Sequence, residues 1–180
     1  MMKASQDEGN LARLRRRNES DWRSAVQAYV AENPEARAID IAAALGCTEG
    51  EALSALSEVV WEIPGADLPQ LLTEIRAWGP VLVLVRNGDA VAEVEVPGDV
   101  GYVNGDWLNW IDEGINLHIR VAATHHILAL VRGGKRGPTH SFNLANQAGQ
   151  VFCRFYTRTP AARARFLTFC HAYTPKARES

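Results

Sequence analysis

WGPVLVLVRNGDAVAEVEV (residues 78–96), INLHIRVAATHHILALV (115–131) and THSFNLANQAGQVFCRFY (139–156) are short apolar or alternating runs separated by turn residues. From Trp78 to Tyr156 this pattern predicts an antiparallel sheet built from neighbouring strands. Val81 to Val85 is apolar throughout, as in a strand covered on both faces. Asn87-Gly88 signals a type I′ turn, which folds that strand straight back into Ala90 to Val96. From Ile115 to Val121 the run alternates: Ile115, Leu117, Ile119 and Val121 point one way, and Asn116, His118 and Arg120 the other. Strands His125 to Val131, Thr139 to Leu144 and Gln150 to Thr157 follow. The last two are joined by Asn146-Gln147-Ala148-Gly149, and Arg154 and Tyr156 share a face of the final strand. No long parallel crossover and no GxGxxG phosphate cradle is present, which weakens a nucleotide-binding Rossmann reading.

On the N-terminal side the period becomes helical. Trp22, Ala25, Val26, Tyr29 and Val30 fall on one stripe behind Ser20 as N-cap, and Asn33-Pro34 ends that helix. Ala38 to Leu45 forms a second helix closed by Gly46. Thr48 and Glu51 have capping-box spacing and open a third, carrying Leu53 and Leu56. A fourth starts with Asp67 as cap and Pro69 in its first turn, buries Leu68, Leu71, Leu72, Ile75 and Trp78, and stops at Gly79-Pro80. Beyond Thr159-Pro160, AARARFLTFCHAY predicts a C-terminal helix burying Phe166, Leu167 and Cys170. The expected organisation is a flexible polar tail (1–19) and one α+β domain (20–180). That domain comprises a helical half (20–78), an antiparallel sheet (79–158) and a C-terminal helix (159–175).

A chain of 180 residues can bury a substantial core without staples. A net charge of -2 and a pI near 6.2 provide no global attraction to nucleic acid or membrane. Cys47, Cys153 and Cys170 are widely spaced, form no CxxC and suit buried structural thiols. No CxxCH occurs, which excludes covalent haem of the c type. No apolar run approaches the ~20 residues of a membrane span, and the N-terminus lacks an apolar signal core, so a cytoplasmic location without membrane insertion is expected. The cluster Arg13, Arg15, Arg16 and Arg17 is offset by Asp7, Glu8, Glu19 and Asp21, as in a solvated tail.

RAIDIAAALGCTEGEALSAL (37–56) has the outline of a helix-turn-helix. Its second helix, extended to Val60, carries Glu49, Glu51 and Glu58 but no Lys or Arg, whereas a helix facing phosphates needs the opposite charge. A helical cap on the sheet is the better reading, and a DNA-binding regulator the lesser alternative.

Taken together, ENPEARAIDIAAALGCTEGEALSAL, LVRNGDAVAEVE, NLHIRVAATHHILALV and SFNLANQAGQVFCRFY resemble successive segments of bacterial haem-utilisation proteins of the HemS/ChuS type. The single-repeat length, and GYVNGDWLNW with LHIR, are similar to the ChuX/HutX haem carriers, over roughly residues 30 to 170. The resemblance implies helices covering part of a large, saddle-shaped antiparallel sheet. It also implies non-covalent b-type haem, or a related tetrapyrrole, handled by a carrier that pairs as a homodimer. A haem-degrading enzyme is the alternative within this family, although no acid–base pair or nucleophile motif supports enzymatic function independently.

Haem needs apolar walls, cations for two propionates and an axial N or O donor. The resemblance puts Arg86, Tyr102 and His118 around the cofactor, and their chemistry adds Trp107 and Arg120 to the candidate set. Tyr102 and His118 are the candidate iron ligands, and Arg86 and Arg120 the anion partners. Each has a plain alternative: a turn-flanking arginine at Arg86, a half-buried core tyrosine at Tyr102, a surface His–Arg pair at 118 and 120. For Trp107 and Trp110 the alternative is burial in a sheet corner. His125 and His126 are adjacent on a predicted strand and should face opposite ways, which prevents both from ligating one iron. The family's carriers show histidines where this chain has Arg86-Asn87 and Val100, so its donor set is thinner.

Overall fold

The computed structural model describes residues 19–57, 59–87, 89–133 and 137–173. The expected N-terminal tail lies outside them, apart from Glu19, as do residues 134–136 of the loop after Arg132. The chain divides into two compact units between Leu56 and Ser57.

The first unit holds three helices, α1 (Glu19–Glu32), α2 (Ala38–Leu45) and α3 (Glu49–Leu56). Ser20 lies inside α1 rather than ahead of it. Gly46 takes the left-handed conformation (φ 67°) that closes α2. At α3 the capping box forms as its spacing predicts: Thr48 N donates to Glu51 Oε2 (2.7 Å) and Glu51 N to Thr48 Oγ1 (3.2 Å).

In the second unit, residues 59–64 depart from the helical expectation. They form a strand, β1 (Val59–Pro64), where the predicted helix ran on to Val60. A 3-10 turn then leads into α4 (Leu68–Ile75), which buries Leu68, Leu71, Leu72 and Ile75, with Trp78 buried just beyond. Asp67 stands at the cap position without capping; its carboxylate instead accepts a hydrogen bond from the Tyr173 hydroxyl (3.0 Å). The remaining strands are β2 (Pro80–Arg86), β3 (Val91–Pro97), β4 (Gly101–Asn104), β5 (Trp107–Asp112), β6 (Ile115–Arg120), β7 (His126–Arg132), β8 (Thr139–Ala145) and β9 (Val151–Thr157). Helix α5 (Pro160–Cys170) follows, its first turn capped by Thr159, whose hydroxyl accepts from Ala162 N (3.1 Å).

All pairings are antiparallel and give two sheets, β1-β7-β8-β9-β2-β3 and β4-β5-β6. The α+β class is therefore the observed one. Arg86 pairs with Val91, so the β2–β3 connection is four residues long rather than a two-residue turn. Asn87 shapes it with its side chain, Oδ1 accepting from Asp89 N (2.8 Å) and Ala90 N (2.9 Å), the local bonding that makes Asn a turn residue. A two-residue loop does occur between β4 and β5: Asn104 pairs with Trp107, and Gly105 (φ 55°) supplies the left-handed first position.

Across the large sheet, Trp61, Ala129, Phe142, Phe155 and Val83 form one buried row. Helix α5 covers it with Phe166, whose ring lies 4.7 Å from Phe142 and 6.1 Å from Trp61. Trp110 of β5 stacks on Phe155 at 5.2 Å, so the small sheet packs on the same face of the large one. Gly101 sits opposite Trp110 in register, and a Cβ there would fall 3.0 Å from the indole. The absent side chain is the space that Trp110 uses.

Candidate functional site

The small sheet has one buried and one open face, and register decides which residue goes where. Leu108, Trp110 and Ile119 point inward and are buried. The same pairing ladder puts Tyr102, Asn109 and His118 in one outward row and Asn104, Trp107 and Arg120 in the next. Four of the five residues singled out from the sequence, Tyr102, Trp107, His118 and Arg120, thus share one face. The alternation read over Ile115 to Arg120 holds; Val121 begins a 3-10 turn instead of continuing the strand.

Open apolar surface concentrates there. Of the five exposed large apolar side chains among the described residues, Tyr102 (41%), Trp107 (39%) and Ile111 (43%) stand on this face. Tyr102 is thus no half-buried core tyrosine. Trp110 is fully buried and donates its indole N–H to Pro97 O (3.0 Å), which removes it from any ligand wall. The Arg120 guanidinium lies 4.7 Å over the Trp107 ring, a cation–π contact of about 0.5–1 kcal/mol at an exposed position. His118 meets Trp107 edge-on at 6.5 Å.

Asn109 belongs to the site although neither its residue type nor its spacing marks it in the sequence. Its Oδ1 lies 2.6 Å from His118 Nδ1, and its Nδ2 donates to Trp107 O (3.1 Å). Only the β5–β6 register reveals it.

Arg86 stands apart. It ends β2 in the large sheet, on the face opposite Val81, Val83 and Val85, with Nε donating to Val151 O (3.4 Å). His125 and His126 depart from the strand argument, because His125 follows a 3-10 turn and precedes β7 rather than lying in it. Their rings come within 4.7 Å and their nitrogens within 3.1 Å. His140 is buried, edge-on to Phe166 at 5.5 Å. Among the described residues no group of three or more His, Cys, Asp or Glu can hold a metal ion. No described helix is long and apolar enough to cross a membrane.

The model of the haem utilisation ChuX/HutX family matches residues 61–169, which span α4, all the strands from β2 to β9 and nearly all of α5. The chain belongs to the ChuX/HutX haem utilisation family. Its place is accordingly in haem utilisation. Solved structures share the fold of this family member. The heme binding protein ChuX is 19% identical, with a TM-score of 0.68 over 82% of this chain and 97% of its own. Protein AGR_C_4470 from Agrobacterium tumefaciens is 23% identical, with a TM-score of 0.69 over 97% of this chain and 98% of its own. Holo-PhuS, a heme-binding protein from Pseudomonas aeruginosa, is 22% identical, with a TM-score of 0.76 over 91% of this chain but 47% of its own. No curated protein matches the chain in sequence.

Proposed function

We propose that this family member binds haem non-covalently on the outer face of the β4-β5-β6 sheet and carries it in the cytoplasm. The observation that carries the reading is the convergence of Tyr102, Trp107, His118 and Arg120 on one open, partly apolar face. The residues fit the group. Trp107, Tyr102 and Ile111 offer apolar and aromatic area for a flat macrocycle, Arg120 a cation for a propionate, and His118 or Tyr102 an axial donor. The iron, when bound, supplies the Lewis acid that one of these donors satisfies. Non-covalent attachment agrees with the lack of a CxxCH motif.

Tyr102 and His118 flank Asn109 on β4 and β6, two strand spacings or about 9–10 Å apart. Both project from the same face, so either would serve as a donor to the iron of a haem held there. The outward positions 102, 104, 107, 109, 111, 116, 118 and 120 include no carboxylate. The face supplies apolar area, a cation and a donor for iron, which are what a carrier needs. Spanning 47% of PhuS, a single copy suits pairing into a homodimer, by analogy of fold.

Titration of ferric haem into the apo-protein tests the proposal. A saturable Soret shift is expected, weakened in the Tyr102→Phe/His118→Ala double variant, with the pigment extractable into acidified organic solvent. Substoichiometric uptake unchanged by the double variant would sink the reading. Sedimentation of the same samples tests the pairing, which a monomer at all concentrations would remove.

A further inference from the structure

We infer that Asn109 is a positioning residue: it holds His118 with the proton on Nδ1 and the lone pair on Nε2, so that Nε2 is the atom offered to iron. The inference rests on the haem reading above, but its first part concerns the apo-protein alone.

The argument starts from which groups can only accept. Asn109 Nδ2 lies 3.1 Å from the Trp107 carbonyl oxygen. A carbonyl oxygen has no proton to give, so the amide NH2 must face it; turning the amide over would oppose two oxygens. Oδ1 then faces His118 Nδ1, 2.6 Å away. Oδ1 also only accepts, so Nδ1 carries the proton. A neutral imidazole has one N–H, which leaves the lone pair on Nε2.

The arrangement is stiff. Asn109 is buried although it lies in the outward row, and its two hydrogen bonds tie it to the backbone of its own strand and to the ring on the next. The Trp107 ring stands edge-on beside the imidazole. Histidines that bind metals commonly donate their second ring N–H to a fixed acceptor, which sets tautomer and orientation; losing that acceptor costs roughly 10–100-fold in metal affinity. Here Asn109 Oδ1 is that acceptor. It serves His118 and not Tyr102 on its other side, so His118 is the pre-set donor of the two.

Two measurements test this. In 15N-labelled apo-protein, ring-nitrogen NMR should show His118 protonated at Nδ1; a proton on Nε2 overturns the inference whether or not haem binds. Ferric haem is then titrated into wild type, Asn109→Leu, Asn109→Asp and His118→Ala, with folding checked by circular dichroism. Asn109→Leu removes the acceptor at similar size and should lose roughly 10–100-fold in affinity with an altered Soret band. Asn109→Asp keeps an acceptor toward His118 but sets a second oxygen against the Trp107 carbonyl, so it should recover only part of the loss; if the Leu variant does not fold, the NMR result decides the tautomer by itself. Equal affinity and spectra in wild type and Asn109→Leu, with binding lost in His118→Ala, overturn the positioning role. Full binding by His118→Ala overturns Nε2 as the donor and the histidine part of the haem reading, leaving the tautomer to the NMR result.

Discussion

Trp107 lies beneath the Arg120 guanidinium and edge-on to His118, with 39% of its surface open to solvent. The indole lies outside the core, and its contact with Arg120 is a small one, so its removal should cost binding more than folding. Trp107→Ala is expected to lower ferric haem affinity about tenfold, the scale of one aromatic contact of ~1.5 kcal/mol, with the thermal midpoint nearly unchanged; unaltered affinity would count against the platform. At this scale the sequence is legible where period and chemistry agree. The alternation over Ile115 to Arg120 puts His118 and Arg120 on one face from residue order alone. It cannot separate Trp107 from Trp110, because identical residue types three apart in a strand of unknown limits take their burial from the partner strands. Asn109 is illegible for the same reason: its meaning lies in being opposite His118.

The elements differ in how much of their shape is local. Helices α2 and α3 carry their own punctuation in Gly46 and in the Thr48/Glu51 box: α2 has the expected bounds, and α3 opens where its box puts it but ends at Leu56 rather than Val60. β1 does not announce itself, since Glu-Val-Val follows a helical run without a break and its strand character comes from pairing with β7. The short β4 and β5, interrupted by Gly105, likewise depend on pairing. Helix α5 is held chiefly through Phe166, fully buried among Trp61, Trp78, His140 and Phe142. Phe166→Ala should therefore destabilise the protein by about 3–5 kcal/mol, read as a lower urea midpoint. A loss below about 1 kcal/mol would mean that α5 is not part of this core.

The three thiols act on the molecule as a whole. Burial, with the Glu51 charge adding to it, raises Cys47 from 9.0 to about 11, and burial also pushes Cys153 and Cys170 upward. A thiol held protonated in the native state favours folding only until the unfolded chain begins to ionise its own thiols, so stability should fall as pH rises above 9.0. Urea unfolding at pH 8 and pH 10 checks this: the drop should be smaller in Cys153→Ala/Cys170→Ala than in wild type, and an equal drop would assign it to other groups. Thiol reagents at neutral pH should label half-buried Cys47 first and the other two only on unfolding. By itself the sequence determined the α+β class, the helix boundaries with local caps, the strands with clear alternation and the family resemblance, because these depend on neighbours a few residues away. Tertiary structure alone decided that β4, β5 and β6 form a separate sheet, that Trp110 is core while Trp107 is surface, that Arg86 stands on another sheet and that Asn109 binds His118. Each of these is a matter of register, and register is set by which strands meet across the core, not by the order of residues within any one of them.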